Sequence, residues 1–243
     1  MKITKANGKS EYTLIENLKK RNEETDQKIV DIVSSIIAGV KEGGDDAVRE
    51  YTARFDGSVP KKTVITKEEL AAYVDMVDED FKNAVVAAQS NIYNFHKRQA
   101  QQSWLTTEEN GVIMGQRIRG LKRVGIYVPG GTAAYPSSVL MNAVPAKIAG
   151  VQEIIMVTPP GADGDPNPYI MAAASIAGVD KVFLCGGAQA VAALAFGTEK
   201  IPKVDKIVGP GNIFVATAKK LLYGVVDIDN NFKPDYQIIK GKN

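Results

Sequence analysis

The stretch Arg123-Val124-Gly125-Ile126-Tyr127-Val128-Pro129-Gly130-Gly131-Thr132 opens on a short apolar run and closes on Pro and Gly, ahead of an Ala- and Val-rich segment from Ser137 to Ala149. Runs of the same kind recur at 153–157, 181–185, 206–208 and 225–228, separated by helical segments at 169–177, 189–196 and 212–223. A strand covered on both faces is apolar throughout rather than alternating, because neither face meets water. Such strands, alternating with helices of about ten to fifteen residues, predict βαβ units and a parallel sheet. With right-handed crossovers this is an α/β fold, a doubly wound Rossmann-like parallel-sheet domain over residues 121–229.

Residues 1–120 have another texture, charged and helical, and read as the amino-terminal part of a first domain. Ile29, Val30, Ile32, Val33, Ile36, Ile37 and Val40 share one face of a helix. Gly43-Gly44 ends it, and Asp45-Asp46 is expected to cap a second helix through Ala47, Val48, Tyr51 and Phe55. Asp56-Gly57 reads as a turn. Thr66 with Glu69 forms a capping box for a third helix. A fourth runs from about Glu79 to Gln101, with Phe81, Val85, Ala88, Ile92, Phe95 and Gln99 on one side. Residues 112–118 alternate like a strand. Residues 230–243 break the pattern as a polar, Lys-rich tail.

The 243 residues hold 30 Lys and Arg against 28 Asp and Glu, a net charge of +2. That balance gives no footing for nucleic acid or an anionic membrane surface. One Cys and one His exclude an intrachain disulfide, a C-x-x-C site and a His-rich zinc site. No run reaches the about 18 apolar residues of a membrane helix, and Met1–Lys5 does not open a signal peptide. The sequence reads as a cytoplasmic globular protein.

In open parallel sheets ligands bind outside the carboxyl ends of strands. Loops rich in Gly are expected at such ends over 127–132, 185–189 and 209–212. Glycine lets backbone approach a ligand, and the helix N-termini that follow favour phosphate; short strand-to-helix turns also need glycine for their own sake. None of the loops is G-x-G-x-x-G, and no acidic residue follows at the usual spacing of about 20 residues. Their convergence on one edge favours a small-molecule site.

Single residues with reactive chemistry have plainer readings. His96 has no second His and reads as structural or solvent-facing. Cys185 reads as a small buried hydrophobe, without a base to activate it. Asp227 and Asp229 share a strand face and read as a solvated strand end before they read as a paired-carboxylate site. Lys219-Lys220 reads as the solvated side of the last helix.

The motifs resemble those of histidinol dehydrogenase. Those that carry the resemblance are Arg123–Gly131, Tyr135-Pro136-Ser137-Ser138-Val139-Leu140-Met141, Gly186-Gly187-Ala188-Gln189-Ala190 and Val208-Gly209-Pro210-Gly211-Asn212. Upstream, Tyr51–Asp56 and Asn91-Ile92 with Phe95-His96 belong to the same pattern. The resemblance implies a homodimeric zinc enzyme that takes L-histidinol to L-histidine in two NAD-linked oxidations, completing histidine biosynthesis. It implies NAD contacts at Tyr127, Gln189 and Asn212. It ends after about residue 229. The family's substrate-contacting Ser, its Gln, His, Asp and His zinc ligands and its Glu-His acid–base pair have no counterparts in this sequence, so no catalytic or metal-binding residue is assigned.

The expectation is therefore an amino-terminal part of such an enzyme, inactive by itself, with an incomplete first domain that exposes apolar surface and self-associates. Two alternatives stand beside it: a nucleotide- or partner-binding remnant without chemistry, and one half of a split enzyme.

Overall fold

The computed structural model describes residues 8–130 and 135–229. Gly131 and Thr132 of the first loop, and the tail at 230–243, lie outside the described residues.

Arg123–Tyr127 (β4), Glu153–Thr158 (β5), Lys181–Leu184 (β6), Lys206–Val208 (β7) and Asp227–Ile228 (β8) are the apolar runs, now paired in parallel. Val64–Thr66 (β1), Trp104–Thr107 (β2) and Ile113–Gln116 (β3) precede them in the chain. The main sheet has the order β1-β6-β5-β4-β7-β8, with β1 antiparallel at one edge. The five parallel strands alone run 3-2-1-4-5 in chain order, the doubly wound arrangement. The fold is α/β with a Rossmann-like sheet.

Pro136–Ile148 (α4) and Pro168–Ile176 (α5) cover one face, and Gly187–Phe196 (α6) and Ile213–Leu222 (α7) cover the other. Each face has its own core. Ile126, Ile154, Met156 and Val182 point into the first, and Ile155, Val157, Phe183 and Ile207 into the second. Successive strand residues face opposite ways, so an apolar run supplies both cores at once.

The amino-terminal elements complete both layers. Ser10–Phe55 (α1) packs on α6 and α7, burying Val33, Ile36, Val40 and Val48. Lys67–Val74 (α2) and Glu79–His96 (α3) pack on α5 and α4 through Leu70, Val85, Phe81 and Ile92. The capping box at Thr66 and Glu69 is present with both of its hydrogen bonds. Phe95, expected on the buried side of α3, is exposed.

The expected break at Gly43-Gly44 is a kink within α1, with Gly44 at φ 50° and ψ −133°. Asp45 does not serve as the expected cap. Its N–H donates to Glu199 Oε2 at 2.9 Å, and its carboxylate accepts from Thr198 Oγ1. The loop after α6 fills the break, which is why a local cap is not needed.

Strands β2 and β3 form a separate antiparallel hairpin in which every strand residue is exposed. Trp104, Leu105, Ile113 and Met114 are apolar and lie on it.

Candidate functional site

The carboxyl ends of β4, β5, β6 and β7 open onto one cleft of ≈ 530 Å³. Its lining includes Tyr127, Pro129 and Gly130 after β4, and Pro159 and Pro160 after β5. Gly187, Ala188 and Gln189 come from the start of α6, and Asn212 and Phe214 from the start of α7. The Gly-rich loops read from the sequence therefore meet at one place. The far wall comes from α1 and the residue after it, with Ile32, Ile36, Phe55 and Asp56. In the sequence these side chains read as a core face or a turn, not as a site.

Tyr127 ends β4 and is buried. Its Oη accepts a hydrogen bond from the Gly187 N–H at 3.1 Å, which leaves the phenolic proton to donate elsewhere. Burial pushes its pKa up to about 12, so it is a neutral phenol at physiological pH. Asp56 meets the next amide along, its Oδ2 accepting from the Gly186 N–H at 3.2 Å. Burial raises the Asp56 carboxyl above its ordinary range, with the Gly186 amide pulling the other way.

Gln189 is fully buried on α6, and neither its Oε1 nor its Nε2 has a hydrogen-bond partner. A buried amide left in that state costs about 1–3 kcal/mol. It is a donor and an acceptor held ready beside the cleft.

Asn212 lies at the cleft but is already at work as the N-cap of α7. Its Oδ1 accepts from the Phe214 and Val215 N–H groups, each at 3.1 Å. Only its Nδ2 is left for a ligand.

Several glycines of these loops are required by protein neighbours. A Cβ on Gly209 would stand 2.2 Å from the Tyr127 carbonyl oxygen, and one on Gly186 would stand 2.5 Å from Pro159 Cγ. Loops from adjacent strands close on one another there, so the reading of glycine as needed by the turns themselves accounts for these two.

Lys219 corrects its sequence reading. It is 2% exposed, not solvated. Its Nζ donates to the Gly209 carbonyl oxygen at 2.6 Å and to Asp229 Oδ1 at 2.8 Å. Asp229 Oδ2 accepts from the Gly209 N–H at 2.7 Å. The ion pair thus grips both polar groups of Gly209 and braces the loop that leads to Asn212. Asp227 pairs with Lys206 at the surface, so the two aspartates do not form a carboxylate pair.

Cys185 is buried, and burial drives its thiol pKa upward, away from nucleophile chemistry. His96 Nδ1 lies 2.8 Å from Gln99 Oε1, at the end of α3. Among the described residues no group of His, Cys, Asp and Glu side chains is arranged to hold a metal ion. The described residues therefore do not fit zinc.

The comparisons with known proteins agree with this architecture. The family model of histidinol dehydrogenase matches residues 19–239, running past Asp229, where the motif-by-motif resemblance ends. The histidinol dehydrogenase of Clostridium acetobutylicum is 58% identical over 214 residues, 88% of this chain and 50% of the relative. That of Lactococcus lactis is 52% identical over 218 residues, 89% of this chain and 51% of the relative. The crystal structure of histidinol dehydrogenase from Elizabethkingia anophelis superposes with a TM-score of 0.77 at 36% identity, covering 82% of this chain and 46% of that one. The chain spans about half the length of the curated relatives it matches. With most of its length matched by the family model and its fold shared with a solved member, the chain belongs to the histidinol dehydrogenase family.

Proposed function

We propose that the cleft is a dinucleotide site for NAD, and that this chain supplies the cofactor-binding part of a histidinol dehydrogenase. The observation that carries the reading is Gln189, a fully buried amide with both polar atoms unpartnered beside a cleft at the carboxyl edge of a doubly wound sheet. A nucleotide offers the donors and acceptors that such an amide lacks. Tyr127 contributes its phenolic proton, and Asn212 its Nδ2. NAD, when bound, supplies the hydride acceptor for carbinol oxidation; the chain's own residues bind and orient it.

Isothermal titration of the chain with NAD tests this, with Gln189→Met as the informative variant. Met nearly keeps the volume and removes the orphaned amide. NAD affinity should fall about 10-fold or more while stability holds or rises, because an unsatisfied buried group has gone. Unchanged affinity in Gln189→Met, or no NAD binding by the parent chain, overturns the reading. Asn212→Ala is a poor probe, since it also removes the α7 cap at a cost of about 1 kcal/mol. Asn212→Asp retains the capping oxygen, but it exchanges the donor for a charged acceptor, so weaker NAD binding in it reports the lost donor and the added charge together.

The reaction proposed for the whole enzyme is the oxidation of L-histidinol to L-histidine, in the cytoplasm, by two successive NAD-linked steps. This chain by itself should not turn over histidinol, because the described residues gather no zinc site and the sequence holds a single His. Sustained NADH formation by the purified chain given histidinol, NAD and zinc would sink that part. Turnover that appears only on adding a carboxyl-terminal half would mark the chain as one part of a split enzyme. The exposed apolar hairpin, with Trp104, Leu105 and Ile113, supports self-association as a homodimer. A monomer at high concentration in light scattering counts against it.

A further inference from the structure

The sequence lacks the acidic residue that dinucleotide folds usually place at the end of their second parallel strand, where it accepts the adenosine ribose 2′-hydroxyl. That strand is β5 here, and it ends in Thr158-Pro159-Pro160 with no carboxylate. The fold nevertheless delivers one to the same edge from elsewhere. Asp56 follows α1 and is tied by its Oδ2 to the Gly186 N–H at the end of β6, 130 residues away in the chain. The point where a Gly186 Cβ would stand is 2.5 Å from Pro159 Cγ and 3.0 Å from Asp56 Oδ1. The carboxylate therefore sits over the ends of β5 and β6, where the acid of a standard dinucleotide fold would reach.

Two further features give it a role toward a ligand. Among the described residues that line the cleft, Asp56 is the only charged one. Its Oδ1 has no hydrogen-bond partner among those residues, while Oδ2 is held at the amide. A carboxylate anchored by one oxygen and open at the other suits a ribose hydroxyl that donates to it. Among the described residues no Lys or Arg lines the cleft to neutralise a 2′-phosphate in that position.

We propose that Asp56 accepts the adenosine ribose 2′-hydroxyl and thereby makes the cleft select NAD over NADP. The assignment rests on the reading of the cleft as a dinucleotide site.

The test is titration of the chain with NAD, NADP and NAD lacking the adenosine 2′-hydroxyl. The parent chain should bind NAD about 10-fold more tightly than the deoxy form, the value of one charge-assisted hydrogen bond, and NADP more weakly still. These comparisons involve no substitution. Asp56→Asn keeps an oxygen for the Gly186 N–H, and in it NADP should come within about threefold of NAD. Equal binding of NAD and its deoxy form by the parent chain overturns the role of Asp56 alone, as does an unchanged NAD-to-NADP ratio in Asp56→Asn. Binding of none of the nucleotides overturns the cofactor reading and the assignment together.

Discussion

Gly209→Ala should cost about 3–4 kcal/mol, combining a left-handed backbone penalty of about 1–2 kcal/mol with overpacking of about 1–3 kcal/mol. Gly209 has φ +109°, and its missing Cβ would stand 2.2 Å from the carbonyl oxygen of Tyr127. That oxygen belongs to backbone on β4, the central strand, and has no rotamer by which to move aside. Relief requires β7 and β4 to part at the mouth of the cleft. Gly224 is the matched control. It has φ +96° with nothing within 4 Å of its Cβ position, so Gly224→Ala meets only the backbone penalty, about 1–2 kcal/mol. Urea unfolding of both variants decides the matter. If Gly209→Ala is no more destabilising than Gly224→Ala, the loop–loop closure does not constrain the site. Against a total stability of about 5–15 kcal/mol, the larger figure should be plain in the midpoint.

How far the sequence reaches depends on whether a signal is local. The parallel strands were legible because burial on both faces writes itself as a continuous apolar run, and each observed strand lies within a residue or two of such a run. The convergence of Tyr127, Gln189 and Asn212 was legible for a related reason, since parallel strands carry their carboxyl ends to one edge. Strand β1 was not, being three residues long and ending in the Thr66 that caps α2. Strand β2 was missed because its residues lie on no core and show no inward face to read. The α1 wall of the cleft was invisible for a physical reason. Ile32 and Phe55 lie on a helix whose apolar stripe announces burial, but which part of that stripe borders a cleft depends on where α6 and α7 begin. Asp56 reaches Gly186 only through tertiary packing.

The burial of Lys219 does have a local signal in the sequence. Val215, Ala218 and Leu222 are all buried on α7, and Lys219 follows Val215 by four residues, on the same helical face. A lysine within such a stripe needs an acceptor, and the chain supplies Asp229 from beyond β8.

That burial makes the two ends of the ion pair unequal. Asp229→Ala should destabilise the chain by about 3 kcal/mol, because it leaves an ammonium group buried with one carbonyl for company. Lys219→Met should cost about 1 kcal/mol or less. It replaces the charge with an apolar chain of similar length and leaves Asp229, whose side chain is 26% exposed, hydrogen-bonded to the Gly209 N–H. The direction of the Lys219 pKa agrees. Burial lowers it below the ordinary 10.5, and Asp229 recovers only part of the loss. In the window below 10.5 the unfolded lysine keeps its proton where the folded one has begun to release it, so unfolding takes up a proton. Stability from this group should therefore rise as pH climbs toward 10.5 and be lost again as pH falls through the folded value. Urea midpoints at about pH 7 and about pH 10 measure both effects, with Lys219→Met serving as the reference in which that rise is absent. Equal costs for Asp229→Ala and Lys219→Met would mean that solvent reaches the ammonium. The grip on Gly209 would then be a surface contact rather than the brace that positions Asn212.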